Sequence, residues 1–274
     1  MLRRLLPKIG SKTLIMGVLN VTPDSFFDKG RFFDRKKAVS HAIDMAACGA
    51  DIIDVGGEST RPGAKEVSAD EELDRVIPVI KALSGRIKKP ISIDTRKANV
   101  ADQALKAGAS IVNDISALRY DLSMADVVAA HSAALVLMHM KGTPQTMQRS
   151  PRYENVIKEI SAHLKESIKI AVACGVKKDN IVVDPGIGFG KTLFHNLEIL
   201  RHLGEFKSLG CPICIGTSRK SFIGKILGSD DPGDRLFGTI ASCAVAITNG
   251  ADILRVHDVK EVSQAVRVVD SIVK

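Results

Sequence analysis

The feature that most constrains the fold is a recurrence of short apolar or β-branched runs. They are "LIMGVL" (14–19), "DIIDV" (51–55), "PISID" (90–94), "SIVNDI" (110–115), "ALVLMH" (134–139), "NIVVD" (180–184), "CPICIG" (211–216) and "DILRV" (252–256). Between them lie stretches with apolar residues at helical spacing, such as "KKAVSHAIDMAACG", "ADEELDRVIPVIKAL", "ENVIKEISAHLKESIKIAVACG" and "DRLFGTIASCAVAITNG". Several of these close on "CGA", "AGA", "CGV" or "NGA", with glycine just past the last periodic residue and a strand soon after. Near-continuous apolar strands alternating with helices imply a parallel sheet covered by helices, and eight such units predict a closed (β/α)8 barrel over an open doubly wound sheet. The 274 residues suit that barrel, which typically takes about 250. No linker or shift in composition divides the chain, so a single domain over 1–274 is expected.

In such a barrel the active site is built at the C-terminal ends of the strands. The first polar residues leaving the eight runs are Asn20, Asp54, Asp94, Asn113 with Asp114, His139, Asp184, Thr217 with Ser218, and Arg255 with His257. A buried carboxylate is costly without partners, so Asp54, Asp94 and Asp184 at one rim require donors from a ligand, a cation or neighbouring side chains. For Asp114 a capping role at the strand-to-helix turn stands equally open. The loops after the first two runs, "NVTPDSFFDKGRFFD" and "GGESTRPGAKEVSAD", are the longest polar insertions and are expected to be mobile binding elements. After the seventh run, "GTSRKSFIG" opens a short helix. Lys220, Arg61, Arg255 and His257 would together concentrate positive charge suited to a phosphate or pyrophosphate group.

The stretch "DPGIGFGKT" (184–192) imitates a phosphate-cradling loop but fails the pattern. Pro185 stands where that loop needs a glycine, and Lys191 stands where a dinucleotide fingerprint needs its third glycine. It reads as a strand end and barrel loop, with Lys191 and Thr192 opening the next helix.

A net charge of +8 admits nucleic acid, a membrane surface or a small anion as partner. The basic groups "RRLLPK", "DRKK" and "RIKKP" are scattered, and 4% aromatic residues with no Trp leave little stacking surface among them, which argues against nucleic acid. No run reaches the roughly 18 apolar residues of a membrane span. The start "MLRRLLPKIG" is basic but too briefly apolar for a secretory signal, so the cytoplasm is the expected compartment. Five cysteines are an odd number at low density and fit a reducing compartment, with "CPIC" read as two small buried strand residues.

The ordered blocks "MGVLNVTPDSF", "GADIIDVGGESTRPGA", "ISIDT", "IVNDIS", "LMHMKGTPQTMQ", "DPGIGFGKT", "GTSRKSFIG" and "RVHDV" resemble those of the dihydropteroate synthases, from about Leu14 to Val259. The resemblance implies a TIM barrel of folate biosynthesis, the target of sulfonamides. Such an enzyme condenses 7,8-dihydropterin-6-ylmethyl pyrophosphate with 4-aminobenzoate and releases pyrophosphate, with Mg2+ required and a homodimer as the assembly. It places the pterin on Asp94, Asn113, Met138, Asp184, Lys220 and Arg255. The ring's amino-pyrimidinone edge offers adjacent N–H donors that a carboxylate accepts in bidentate fashion, a role matching Asp184. The resemblance further implies Phe26, Thr60, Pro62, Phe189, Lys220 and Ser221 for the aminobenzoate. Asn20, Arg61, Arg255 and His257 are implied for the pyrophosphate, with Asn20 on Mg2+. Catalysis is implied for Asp94, Asp184, Lys220, Arg255 and His257, by a dissociative route in which pyrophosphate leaves before the amine attacks. The first loop departs from the family pattern at Phe27 and Lys29, and "HMKG" carries Lys141 where glutamine is frequent.

Two competing readings share the pterin-binding residues. One is a pterin-dependent methyltransferase on the same barrel, which would not need "STRPG" or the basic "TSRKS". The other is a catalytically silent pterin-binding protein, which would not need the set Asn20, Arg61, Lys220, Arg255 and His257.

Overall fold

The computed structural model describes residues 1–22, 35–61 and 63–274. All eight runs form strands: β1 (Leu14–Asn20), β2 (Ile52–Gly56), β3 (Ile91–Asp94), β4 (Ile111–Asp114), β5 (Ala134–Met138), β6 (Ile181–Asp184), β7 (Cys214–Ile215) and β8 (Ile253–Val256). The pairings are parallel, in the order β6-β5-β4-β3-β2-β1-β8-β7. A bridge between Val183 and Ile213 joins the two ends, so the sheet is a nearly closed barrel. Strand β7 is shorter than the run that predicts it. Pro212 has no N–H for the ladder and keeps the start of the run outside the strand, while its carbonyl still accepts from the N–H of Val183 at 2.9 Å.

Further helices follow the strands: α2 (Arg35–Ala47), α3 (Ala69–Ser84), α4 (Ala98–Lys106), α5 (Met124–Ala130), α6 (Val156–Ala173), α7 (Leu193–Arg201), α8 (Ser221–Leu227), α9 (Leu236–Thr248) and α10 (Val259–Val273). Three of their starts are capped by side chains that accept orphan N–H groups. Ser68 caps α3, Asn155 caps α6, and Thr192 forms a reciprocal capping box with His195 on α7, as the sequence predicts for Thr192. Gly17 lets two helices close on β1, because a Cβ there would lie 3.0 Å from both Met45 Sδ and Val259 Cγ2. Among the described residues no helix is long and apolar enough to cross a membrane.

Alternation along the strands separates two cores. The outward residues, such as Ile53, Val55, Ile93 and Val183, pack against the helices. The inward residues Leu14, Met16, Ile52, Ile111, Val136, Val182, Cys214 and Ile253 fill the barrel floor. A short helix α1 (Leu2–Leu5) closes that floor with Leu2 and Leu6, and the N–H of Leu2 donates to Asn180 Oδ1 at 3.0 Å. Burying each such side chain contributes about 1.5–3 kcal/mol. Cys211 and Cys214 are buried free thiols, in keeping with their reading as packed residues.

Candidate active site

One step further along the strands, the inward positions turn polar. Asp54 follows Ile52, Asn113 follows Ile111, Asp184 follows Val182 and Arg255 follows Ile253, each two residues on and so on the same face. These side chains converge. Arg255 Nε donates to Asp54 Oδ2 at 2.7 Å, and its Nη2 donates to Asp94 Oδ2 at 2.6 Å. Asn113 Nδ2 donates to the same Asp54 oxygen at 3.1 Å. One guanidinium thus holds two carboxylates from adjacent strands, and Asp54 ties β2 to β4 and β8. Its other oxygen, Oδ1, is buried without a partner among the described residues.

Electrostatics follow from this crowding. Burial pushes Asp94 up to about 7, against the pull of Arg255 and with the repulsion of Asp54. Burial opposes the charge of Arg255, but Asp54 and Asp94 more than offset it and hold the guanidinium above its ordinary range. Asp184 is raised by burial despite Lys220, and Lys220 is lowered by burial to about 8 despite Asp184.

Asp184 accepts from the N–H of Gly186 at 2.7 Å through Oδ1, the one hydrogen bond to this carboxylate among the described residues. Gly186 has φ +72°, and a Cβ there would come within 2.0 Å of the His139 carbonyl oxygen, so only glycine allows this tight exit from β6. Opposite, Lys220 Nζ donates to the carbonyl of Ile187 and lies 4.8 Å from the centre of the Phe189 ring. Met138 ends β5 in register with Asp184 and is buried.

At the end of β8, the backbone N–H of His257 donates to Ser218 Oγ at 3.1 Å, while His257 Nδ1 lies 3.0 Å from the same hydroxyl. That hydroxyl can donate to Nδ1, which leaves Nε2–H as the outward donor. Burial, reinforced by Arg255, Arg219 and Arg61, lowers His257 to about 4 and keeps it neutral. Thr60 and Arg61 follow β2, half-buried and exposed respectively, and Ser221 is exposed at the start of α8. Asn20 ends β1, and its Oδ1 faces the space in front of Gly56 together with Asp94 Oδ2. Phe26, Pro62 and the departures at Phe27 and Lys29 lie outside the described residues.

Three strand-end polar residues serve the scaffold. Asp114 accepts from Ser116 N–H (2.8 Å), Ser116 Oγ (2.6 Å) and Leu118 N–H (2.7 Å), so its carboxylate caps the turn. His139 is buried and neutral, its Nδ1 facing Lys191 Nζ at 2.9 Å. Lys191 is itself buried and also donates to the Phe189 carbonyl at 2.9 Å, pinning the loop that the sequence reading made a helix start. Thr217 lies against Cys243. Lys141 donates to the Arg152 carbonyl, with Nζ 4.1 Å from the Tyr153 ring centre.

The profile of the family "Pterin binding enzyme" matches residues 16–257. The dihydropteroate synthase of Synechocystis sp. is 49% identical over 263 residues, covering 96% of this chain and 91% of that one. The chain belongs to the dihydropteroate synthases, a family of pterin-binding enzymes. Members of this family are transferases of folate synthesis. Two solved structures of the family superpose closely. The Clostridium difficile enzyme, crystallised in the presence of pteroic acid, gives a TM-score of 0.90 at 52% identity, over 96% of this chain and 98% of that one. The Xanthomonas albilineans enzyme with 4-aminobenzoic acid gives 0.90 at 42% identity, over 95% and 93%. The fold expected from eight βα units is therefore the fold of the family.

Proposed function

We propose that this chain condenses 7,8-dihydropterin-6-ylmethyl pyrophosphate with 4-aminobenzoate to 7,8-dihydropteroate and pyrophosphate. The observation that carries the reading is a buried carboxylate, Asp184, bonded only to Gly186 N–H among the described residues and facing Lys220 across the barrel mouth. Such a group has room to accept the paired N–H donors of the pterin edge. Asn113, Asp94 and Arg255 would complete the polar contacts to the ring, and Met138 its apolar face. The relative seen with 4-aminobenzoic acid supports an aminobenzoate site in this chain, which we assign to Thr60, Phe189, Lys220 and Ser221, together with Phe26 and Pro62.

In the reaction the bond from the methylene carbon to the pyrophosphate oxygen breaks, and its electron pair leaves with pyrophosphate. The electron-rich dihydropterin ring delocalises the positive charge left on the methylene. Asp94 and Asp184, fixed and shielded from water, stabilise that charge more than an aqueous carboxylate could. Arg61, Arg255 and the Nε2–H of His257 face the departing anion. The aniline nitrogen then attacks through its lone pair and loses a proton, so no strong base is required.

Magnesium fits the donors present. Asn20 Oδ1 and Asp94 Oδ2 lie 3.8 and 3.6 Å from where a Cβ on Gly56 would sit, so the glycine leaves room in front of two hard oxygens. Mg2+ prefers a few such oxygens plus phosphate and water to a dedicated cage, and no cluster of three or more His, Cys, Asp or Glu suited to a metal occurs among the described residues. Bound there, the ion would supply charge neutralisation on the pyrophosphate.

The enzyme would act in the cytoplasm as a homodimer, a state supported by the exposed apolar residues Phe237 on α9 and Val268 and Ile272 on α10. Incubating the purified protein with both substrates and Mg2+ tests the reaction. Pyrophosphate and dihydropteroate are expected in equal amounts, and a lack of both overturns the proposal.

A further inference from the structure

Beside the mouth lies a buried network of charge that the reaction above does not use. It begins on the outer side of the β3 end, where Arg96 and Lys97 follow Asp94 and Thr95. Glu58, in the loop between β2 and α3, accepts from Arg96 Nη2 at 3.0 Å and from Lys97 Nζ at 2.7 Å. Lys97 also donates to Glu72 of α3 at 2.6 Å. The side chains of Glu58, Arg96, Lys97 and Glu72 are 8%, 8%, 10% and 0% exposed, so these are desolvated pairs and not surface contacts.

The network grips both ends of one loop. At its start stands Glu58. At its far end Arg96 reaches Glu66 at 3.6 Å, and the N–H of Val67 lies 3.4 Å from the Glu58 carboxylate. Tyr120 stacks under Arg96 with its ring centre 4.3 Å away, and its hydroxyl donates to Glu66. Thr60 and Arg61 are half-buried and exposed, and Gly63 N–H donates to the Pro144 carbonyl at 3.2 Å. The loop is therefore fastened at its base, and Thr60, proposed to meet the second substrate, lies between the anchors.

We propose that Arg96 and Glu58 form the clasp of this loop and are positioning residues for the aminobenzoate half of the reaction, holding Thr60 and Arg61 toward His257. The inference rests on the reaction proposed above. Arg96 follows Asp94 by two residues just past the end of β3, so the same strand end sets loop position and pterin position. A clasp of two desolvated ion pairs fixes geometry because each partner is costly to leave alone.

The test separates the two substrates. In Arg96→Gln the KM for 4-aminobenzoate should rise about tenfold, while the Kd for a dihydropterin lacking the pyrophosphate that Arg61 faces, titrated without aminobenzoate, stays within about twofold. Arg96→Lys, which keeps the charge but not the fork, should recover part of that rise. Tyr120→Phe alters only an exposed hydroxyl and should raise the same KM by about two- to threefold. Trypsin should cut the Lys65–Glu66 bond faster in Arg96→Gln and Tyr120→Phe than in the wild type. An unchanged KM and cleavage rate in folded Tyr120→Phe and Arg96→Gln would overturn the clasp, as would an equal loss of pterin affinity. If the wild type makes no product, the proposed reaction fails, and the cleavage rates alone still decide whether the clasp exists.

Discussion

The floor and the mouth of the barrel are lined by the same strands only two residues apart, yet they are built on opposite terms. The floor joins Leu2, Leu6, Met16, Ile52, Ile111, Val182 and Ile253 in an apolar plug. The mouth joins Asp54, Asp94, Asn113, Asp184, Lys220 and Arg255, whose burial moves the carboxyls of Asp94 and Asp184 up and the ammonium of Lys220 down. The first arrangement gains stability from removing apolar surface from water. The second loses stability by removing charge from water, and three carboxylates share one guanidinium and one ammonium. A site that destabilises the empty protein is what a ligand bearing matching donors and a developing charge requires.

The largest expected difference between the regions is in stability. Ile52→Ala, in a fully buried floor position, should cost about 2–5 kcal/mol by denaturant unfolding and leave the KM values for both substrates unchanged. A KM that moved with stability would break the division of labour.

The next largest effect sharpens it through pH. Asp94 titrates at about 7 in the folded protein against 3.8 for the free side chain. Between those values the folded state holds a proton that the unfolded chain has released, so stability should fall as pH rises, by up to about 1.4 kcal/mol per unit. Unfolding at about pH 5 and about pH 7 measures the slope, and Asp94→Asn should flatten it. The rate should rise with pH as Asp94 ionises near 7 and fall as Lys220 loses its proton near 8. Asp54→Asn removes a repelling charge while keeping an acceptor for Arg255 and Asn113, so the acidic limb should move to lower pH.

The smallest effect lies outside both regions. Thr192→Ala removes the cap of α7 and should lower stability by about 1 kcal/mol in a thermal melt, with no change in turnover. A drop in turnover would extend the functional region to the outer face of the loop that Lys191 pins.

The mouth was legible because alternation is strict: once Ile52, Ile111, Val182 and Ile253 face inward, Asp54, Asn113, Asp184 and Arg255 must follow them. The helix start beside Thr192 was legible for an equally local reason, although Thr192 caps it and Lys191 stays outside. The rest depends on contacts distant in sequence. Helix α1 spans four residues, too few for a period, so the floor plug left no pattern to read. His139 and Lys191 meet across 52 positions and look like site residues until their burial is known. Glu58, Glu72, Arg96 and Lys97 have the composition of a solvated surface, and only the packing of the loop on β3 and α3 makes them a buried network. The role of Asp54 as the partner of both Arg255 and Asn113 was likewise hidden, although its inward position was not.

The central claim is that Asp184 is placed for a ligand at the expense of the empty protein's stability. Calorimetric titration of Asp184→Asn with a pterin analogue, beside a thermal melt of the same protein, tests it directly. The Gly186 N–H keeps its acceptor in that variant, while the pterin's paired donors meet an amide in place of a carboxylate. Affinity should fall by about 2–4 kcal/mol, with the melting temperature unchanged or higher. Undiminished affinity, or a melting temperature that falls sharply, would contradict the account.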